Sequence, residues 1–462
     1  MGARTRKASV ELVEVQGSQS RGPSVAAHPS RWRAVLWPAV VVGVVLAVGA
    51  LAVTAQREDA RRANAVAHLV AAGTYLADVD ADVAVRWRVT SPRAEVLAVA
   101  DGAVITLTEL RGTQLLVARD LGTGAELWRS TFALNLGSSR CLGPEHATDA
   151  PLVVCALRAR PRVPGVDDAG TALHVRDVRT GELLAERRAS GALLGMRLVD
   201  GDLLGAWLES GTLQVRREDA TAGTPRWELT LETLEPVASA SAVGAGVAGG
   251  ELVVATLRDA FAVTEDGELA FTATTAPPRQ PRQLALRPVG EDLYAVWRTR
   301  EREPADLVDA DGGGRLAAIG TPRVLVSDDG SLGTVVLTRH PDGDLLWDVA
   351  RRAKLWRAHE EVAEALVTDG VLALAGESGV RVVDPRRGVT LWRSTRVTGL
   401  VGVAGELVVR EGSELVGVEA RTGLEVWRAS TDLAEGTRFA VVGGHLFALE
   451  PRSVTLLAAP GP

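Results

Sequence analysis

The chain holds only two cysteines, two methionines and two tyrosines in 462 residues, and lysine occurs at positions 7 and 354 alone. Two cysteines exclude a disulfide-dense scaffold and a four-thiolate zinc site. The histidines, His28, His68, His146, His174, His340, His359 and His445, form neither an HExxH pair nor a two-Cys/two-His spacing, so no zinc chemistry is written in the sequence. No Gly-x-Ser-x-Gly elbow, Walker-type loop or dinucleotide fingerprint stands in its proper context. Basic charge is also short. The chain carries −7, and residues 1–62, with nine basic and four acidic side chains, account for +5, which leaves −12 on the rest. Such a balance repels phosphates and anionic headgroups and argues against a nucleic-acid partner. Rings make up 4% of the residues, yet eleven of them are tryptophan.

Long apolar runs are scarce too, and the one exception stands out. Residues 34–55 carry no charge over twenty-two positions. As a helix they reach about 33 Å, enough for a bilayer core of about 30 Å. Trp32 and Trp37 sit at its start, as interfacial aromatics do, and Pro38 falls in the first turn. Basic residues concentrate before the run (Arg4, Arg6, Lys7, Arg21, Arg31, Arg33), which predicts a cytoplasmic, disordered tail over 1–33 and an extracellular remainder. The competing reading is a cleaved signal peptide ending near Ala55, although its apolar and leading regions are both long for one. Residues 56–82 are read as a stalk, helical at first. Asp78, Asp80 and Asp82 open like an EF-hand loop, but Val83 and Val89 stand where Gly and Glu are required, so the segment is a charged linker.

Beyond residue 82 the chain repeats itself. The stretch 415–430 alternates Val416, Val418 and Ala420 with small or polar residues, turns at Thr422-Gly423, and resumes at Val426-Trp427. Glycine supplies the positive φ of that turn. A ring follows the glycine by four residues again and again: Gly124 to Trp128, Gly223 to Trp227, Gly267 to Phe271, Gly388 to Trp392 and Gly423 to Trp427. Gly181 to Ala185 and Gly314 to Ala318 keep the spacing without the ring. Each such hairpin follows two apolar runs joined by a tight turn, so a unit holds four strands, A to D. Many copies of a four-stranded antiparallel unit predict an all-β protein, a β-propeller.

The repeat resembles the quinoprotein, or PQQ-like, propeller family, whose units end in Ala-x-Asp-x-x-Thr-Gly-x-x-x-Trp. Residues 118–128 match in full; 382–392 and 417–427 lack the alanine, and Glu419 replaces the aspartate in the last. The resemblance covers about residues 83–458. It implies that Gly124, Gly388 and Gly423, with Trp87, Trp128, Trp227, Trp356, Trp392 and Trp427, lock neighbouring blades together rather than bind a ligand. It does not carry over a cofactor: quinone enzymes of the family are longer and carry an adjacent Cys-Cys pair, calcium-binding carboxylates and a catalytic aspartate that have no counterparts here. No cofactor and no catalytic residue is expected.

Residues 83–89 form an orphan D strand. Strands near 439–442, 446–449 and 454–457 supply its A, B and C, so the N-terminal strand is expected to close the ring. The raw count is nine units. The resembled family usually closes with seven or eight, so eight is the expected number, with 283–319 the doubtful unit. Cys141 and Cys155 fall on adjacent strands of one blade. An exported compartment favours their disulfide, with two buried thiols as the alternative. The long connections, near 158–170, 131–148 and 272–283, all fall on the face opposite the tight turns. That loop face is the expected docking side for a protein or envelope-polymer partner, with the tight-turn face towards the membrane. The function so predicted is a non-catalytic, single-pass membrane-anchored scaffold; the alternatives are a quinone-dependent dehydrogenase and a sensor ectodomain.

Overall fold

The structure, a computed structural model, describes residues 60–459 except 61–62, 68, 71–72, 78, 111–112, 134–137, 145–149, 159–169, 238, 276–282, 291, 300–303, 311–314 and 435. The tail, the apolar run 34–55 and most of the three long connections lie outside the described residues. Among the described residues no helix is long and apolar enough to cross a membrane.

Among the described residues the strands form nine four-stranded antiparallel sheets, each built from consecutive strands except the last: blades 1 to 8 are 95–133, 138–189, 192–231, 244–274, 284–319, 321–357, 364–394 and 399–430, and blade 9 is 438–458 with 84–90. In blade 8 these are Gly399–Val403, Leu407–Glu411, Glu414–Val418 and Glu425–Ser430, running A to D. Their burial explains the order. Strand A is buried at all five positions, whereas strand D is buried only at alternate ones. An inner strand is sandwiched between its neighbours' blades, while an outer strand has one face in water. The A strands of successive blades contact one another around most of the centre, and that of blade 9 contacts that of blade 1. Apolar clusters fill the gaps between blades, as where Ala206, Leu213 and Val215 of blade 3 meet Leu252, Val254 and Phe261 of blade 4.

Ala84–Thr90 pairs antiparallel with Ser453–Ala458, Trp87 opposite Leu456, and so completes blade 9 with strands from the C-terminus. The ring therefore closes by hydrogen bonds between the two ends of the propeller.

The expected eight blades are corrected to nine. The doubtful unit is a full blade, with Leu284–Gly290, Leu293–Arg298, Ala305–Asp309 and Arg315–Ile319 paired in order. It lacks the D-strand ring, and its contact with blade 6 is filled instead by Ile319, Leu307 and Val349 with Trp297 and Trp347 against them. Blade 6 is the irregular one. Its strand A is only Thr321–Pro322. Proline has no N–H to continue a ladder, and the chain crosses to blade 7. There the Val326 N–H donates to the Ala365 carbonyl (2.7 Å), and the Val367 N–H to that of Ser327 (2.9 Å). Buried Asp329 accepts from the Ser331 and Asp369 amides. At the crossing Arg323 and Asp344, both buried, pair at 2.7 Å.

The stretch read as a stalk is packed. Residues 63–67 and 69–70 are helical, and Gly73 turns the chain at φ 64°. Leu69, Leu76, Val79 and Val83 are 1%, 1%, 4% and 3% exposed. Leu69 lies among Leu366, Val371, Leu400 and Val403 of blades 7 and 8. The Leu76 N–H donates to the Val403 carbonyl, and the Gly444 N–H to that of Gly73. Gly405 and Gly443-Gly444 are A–B turn residues, so this strap docks on the tight-turn face near the ring's centre.

Candidate functional site

The residues that the repeat singles out meet at the C–D turns. In blade 1 the Asp120 carboxylate accepts from both the amide and the hydroxyl of Thr123, each at 2.8 Å. In blade 2 Asp177 holds Thr180 and Arg179 likewise, and in blade 3 Asp219 holds Thr221 and Ala222. Such bonds favour the charged carboxylate. The Thr123 hydroxyl holds Asp120 below the usual carboxylate range, and the Thr180 and Ala222 amides do the same for Asp177 and Asp219. Each loop closes when the turn glycine donates its N–H to the carbonyl four residues back, as Gly124 to Asp120 and Gly423 to Glu419.

These glycines need to be glycines for two reasons. Gly423 has φ 70°, and a methyl group there would fall 2.7 Å from the ring of Trp392, which belongs to the preceding blade. The same stacking joins Trp87 to Gly124, Trp128 to Gly181, Trp227 to Gly267 and Trp356 to Gly388. Each indole N–H then donates to a carbonyl of the turn it covers: Trp87 to Leu121, Trp128 to Val178, Trp227 to Glu265, Trp356 to Pro385 and Trp392 to Ala420, at 2.7–3.1 Å. Trp427 differs. Blade 9 has no covalent C–D turn to receive it, and it packs over Gly417 of its own blade.

Between blades 2 and 3 an arginine takes the ring's place. Arg187, two residues beyond the Ala185 position, lies over Gly223, where a methyl group would fall 2.8 Å from its guanidinium. It donates to the Ala220 carbonyl (3.3 Å) and pairs with the buried Glu218 (2.7 Å). Arg216 stands 3.5 Å from the same carboxylate and 4.1 Å over the ring of the fully buried Trp207. A search for aromatic side chains four residues after glycine passes over Arg187. The signal available was Glu218 on an otherwise repeat-like C strand.

Cys141 and Cys155 face each other on strands A and B of blade 2 and form a disulfide. His174 and Glu186 continue the same row across strands C and D. The His174 ring meets Phe132 edge-on, and burial lowers its pKa.

One charged cleft, of about 400 Å³, opens at the rim between blades 3 and 4, lined by Asp200, Asp202, Arg217, Arg226, Trp227 and Asp266. Asp202 there already accepts from Arg217 (2.9 Å) and Arg226 (3.4 Å), so the cleft's charges largely answer one another. Among the described residues no three His, Cys, Asp or Glu side chains are grouped to hold a metal ion.

A family model described as outer membrane protein assembly factor BamB, of the PQQ-like repeat type, matches residues 112–296. The chain is a β-propeller whose residues 112–296 carry PQQ-like repeats. No curated protein matches the chain in sequence. Similar solved structures include the computationally designed Ika8 protein, with 13% identity, a TM-score of 0.43, and coverage of 82% of this chain and 100% of that one. Dihydro-heme d1 dehydrogenase NirN gives 15% and 0.40, over 75% and 78% of the two chains. A europium-containing methanol dehydrogenase gives 10% and 0.35, over 73% and 85%. The family match spans parts of blades 1 to 5, including the junction where Arg187 replaces the ring.

Proposed function

We propose that this PQQ-like propeller is a non-catalytic scaffold. In this reading 34–55 anchors it in a membrane, with the N-terminus cytoplasmic and the ring outside, and a protein or envelope polymer docks on the loop face. The observation that carries the reading is the fate of the indoles. Five of them are seated on the next blade's turn with their N–H groups bonded. Aromatic surface that a quinone or a sugar would stack on is thereby committed to holding the ring. A disulfide in blade 2 suits an exported compartment. The family description, which names an assembly factor, supports protein partners in general.

The test is crosslinking of the full chain in intact cells followed by capture and mass spectrometry. Crosslinks from the B–C turns, at Glu377 or Ser413, to one envelope protein or polymer are the expected result. Capture of no partner, together with dye reduction by the purified protein on addition of quinone and calcium, sinks the scaffold reading and favours a dehydrogenase.

A further inference from the structure

The strap brings the chain onto the propeller at one sector. Leu69 is buried among residues of blades 7 and 8, and the strap's backbone bonds run to the tight turns of blades 8 and 9. Leucines just after the C–D turn glycine are also exposed in blades 1, 2 and 4 (Leu127, Leu183, Leu184 and Leu269, 40–46%), and the edge of this sector includes the most exposed of these positions. Val389 and Leu391 of blade 7 are 55% and 40% exposed, and Leu424 and Val426 of blade 8 are 65% and 55% exposed. All four follow a C–D turn glycine by one or three residues, so they stand at the end of strand D nearest the tight-turn face. Trp392 of blade 7 lies on Gly423 of blade 8, the turn glycine before Leu424. Exposed arginines flank it on the turns: Arg386, Arg387 and Arg421. The Arg387 and Arg421 side chains are 80% and 56% exposed while also pairing with Asp384 (4.0 Å) and Asp369 (3.1 Å).

Exposed apolar side chains on neighbouring blades, flanked by guanidinium groups, suit a lipid interface. Apolar groups enter the acyl boundary while arginine tips remain among headgroups. What selects a lipid surface over a protein is the length of chain before the strap. Thirteen residues, 56–68, separate the end of the apolar run from Leu69. They reach about 20 Å as a helix and at most about 45 Å extended. A tether of that length keeps this edge within reach of the bilayer that 34–55 is read as spanning.

We infer that the tight-turn edge of blades 7 and 8 rests on the bilayer through Val389, Leu391, Leu424 and Val426, with Arg386, Arg387 and Arg421 at the headgroups. This inference rests on the reading of 34–55 as a membrane span. The test uses the full chain reconstituted into vesicles of phosphatidylethanolamine and phosphatidylglycerol. A nitroxide is placed through Leu424→Cys, or through Glu377→Cys on the opposite face, and its accessibility to oxygen and to a water-soluble nickel complex is measured by electron paramagnetic resonance. The expected result is a chain that resists alkaline extraction, with the label at 424 shielded from nickel and the label at 377 exposed to it. If the chain resists extraction but both labels meet nickel equally, the docking inference falls and the span stands. If alkali extracts the chain, the span reading fails and the docking inference falls with it.

Discussion

The junction between blades 7 and 8 and the junction between blades 2 and 3 solve one problem with different chemistry. In both, a turn glycine at φ of about 70° leaves a flat floor, and a planar group from the preceding blade covers it. Trp392 does so with an apolar ring and a single N–H, which one carbonyl satisfies. Arg187 does so with a charged plane, which needs a carboxylate, and Glu218 is buried to supply it. The repeat therefore selects a planar shape with a donor at its edge. Burying a charge pair is the costlier way to provide one, because desolvation opposes the attraction.

The sharpest way to break the comparison is Trp392→Ala, which removes the ring, its bond and its packing. About 3–5 kcal/mol should be lost, read as a lower thermal midpoint in calorimetry. Blade 2, whose own D strand lacks the ring, carries the disulfide. Replacing Cys141 and Cys155 by alanine removes a link across a sequence separation of 14 and should cost about 3 kcal/mol in chemical denaturation. Arg187→Ala leaves Glu218 buried with Arg216 alone. The expected loss is about 2 kcal/mol, under the usual 3–5 for a broken buried pair. The comparison is sharpened by rebuilding that junction on the tryptophan pattern. Ala185→Trp with Arg187→Ser and Glu218→Val should match or exceed the native midpoint; a lower midpoint would show that the arginine is not interchangeable with a ring.

The smallest effects should appear with pH, and with opposite signs. Asp177 has a folded pKa below its ordinary value, so its contribution is present above about pH 4 and is lost as pH falls through the folded value. The midpoint gap between the native protein and Asp177→Ala should therefore narrow in acid. Glu251 receives a hydrogen bond from Tyr294, but burial raises its pKa. Its contribution is full below about pH 4.3 and declines as pH rises through the folded value. Glu251→Gln should flatten that decline in a series of melts.

Much of the architecture was legible because it is local. A glycine and a ring four residues apart fix a turn and a strand, and nine A–B turns could be counted directly. The count faltered where the ring was missing, at Ala318, since a blade needs filled space and not a particular residue; Trp297 and Trp347 arrive from other strands. The short strand A of blade 6 was hidden for another reason. Pro322 marks its end, but the partner of residues 326–328 lies about forty residues onward and pairs in parallel. The strap was hidden by its charges. Leu69, Leu76, Val79 and Val83 are too widely spaced to show a period, with aspartates between them, and only the folded ring supplies the groove they fill. Arg187 was illegible because a guanidinium does not resemble an indole until both are seen lying on glycine.

Ring closure by Ala84–Thr90 has a consequence for how the protein is made. The strand that completes the last blade is made before the other strands of the ring, yet its partner, Ser453–Ala458, is made after them. Trp87 also covers the turn of blade 1, so the early strand can wait against its first neighbour while some 360 residues follow. Until residues 453–458 emerge the nascent ring is an open arc with an unpaired edge, the kind of edge that invites foreign strands. The final pairing, the most distant in sequence among the described strands, removes that hazard in one step.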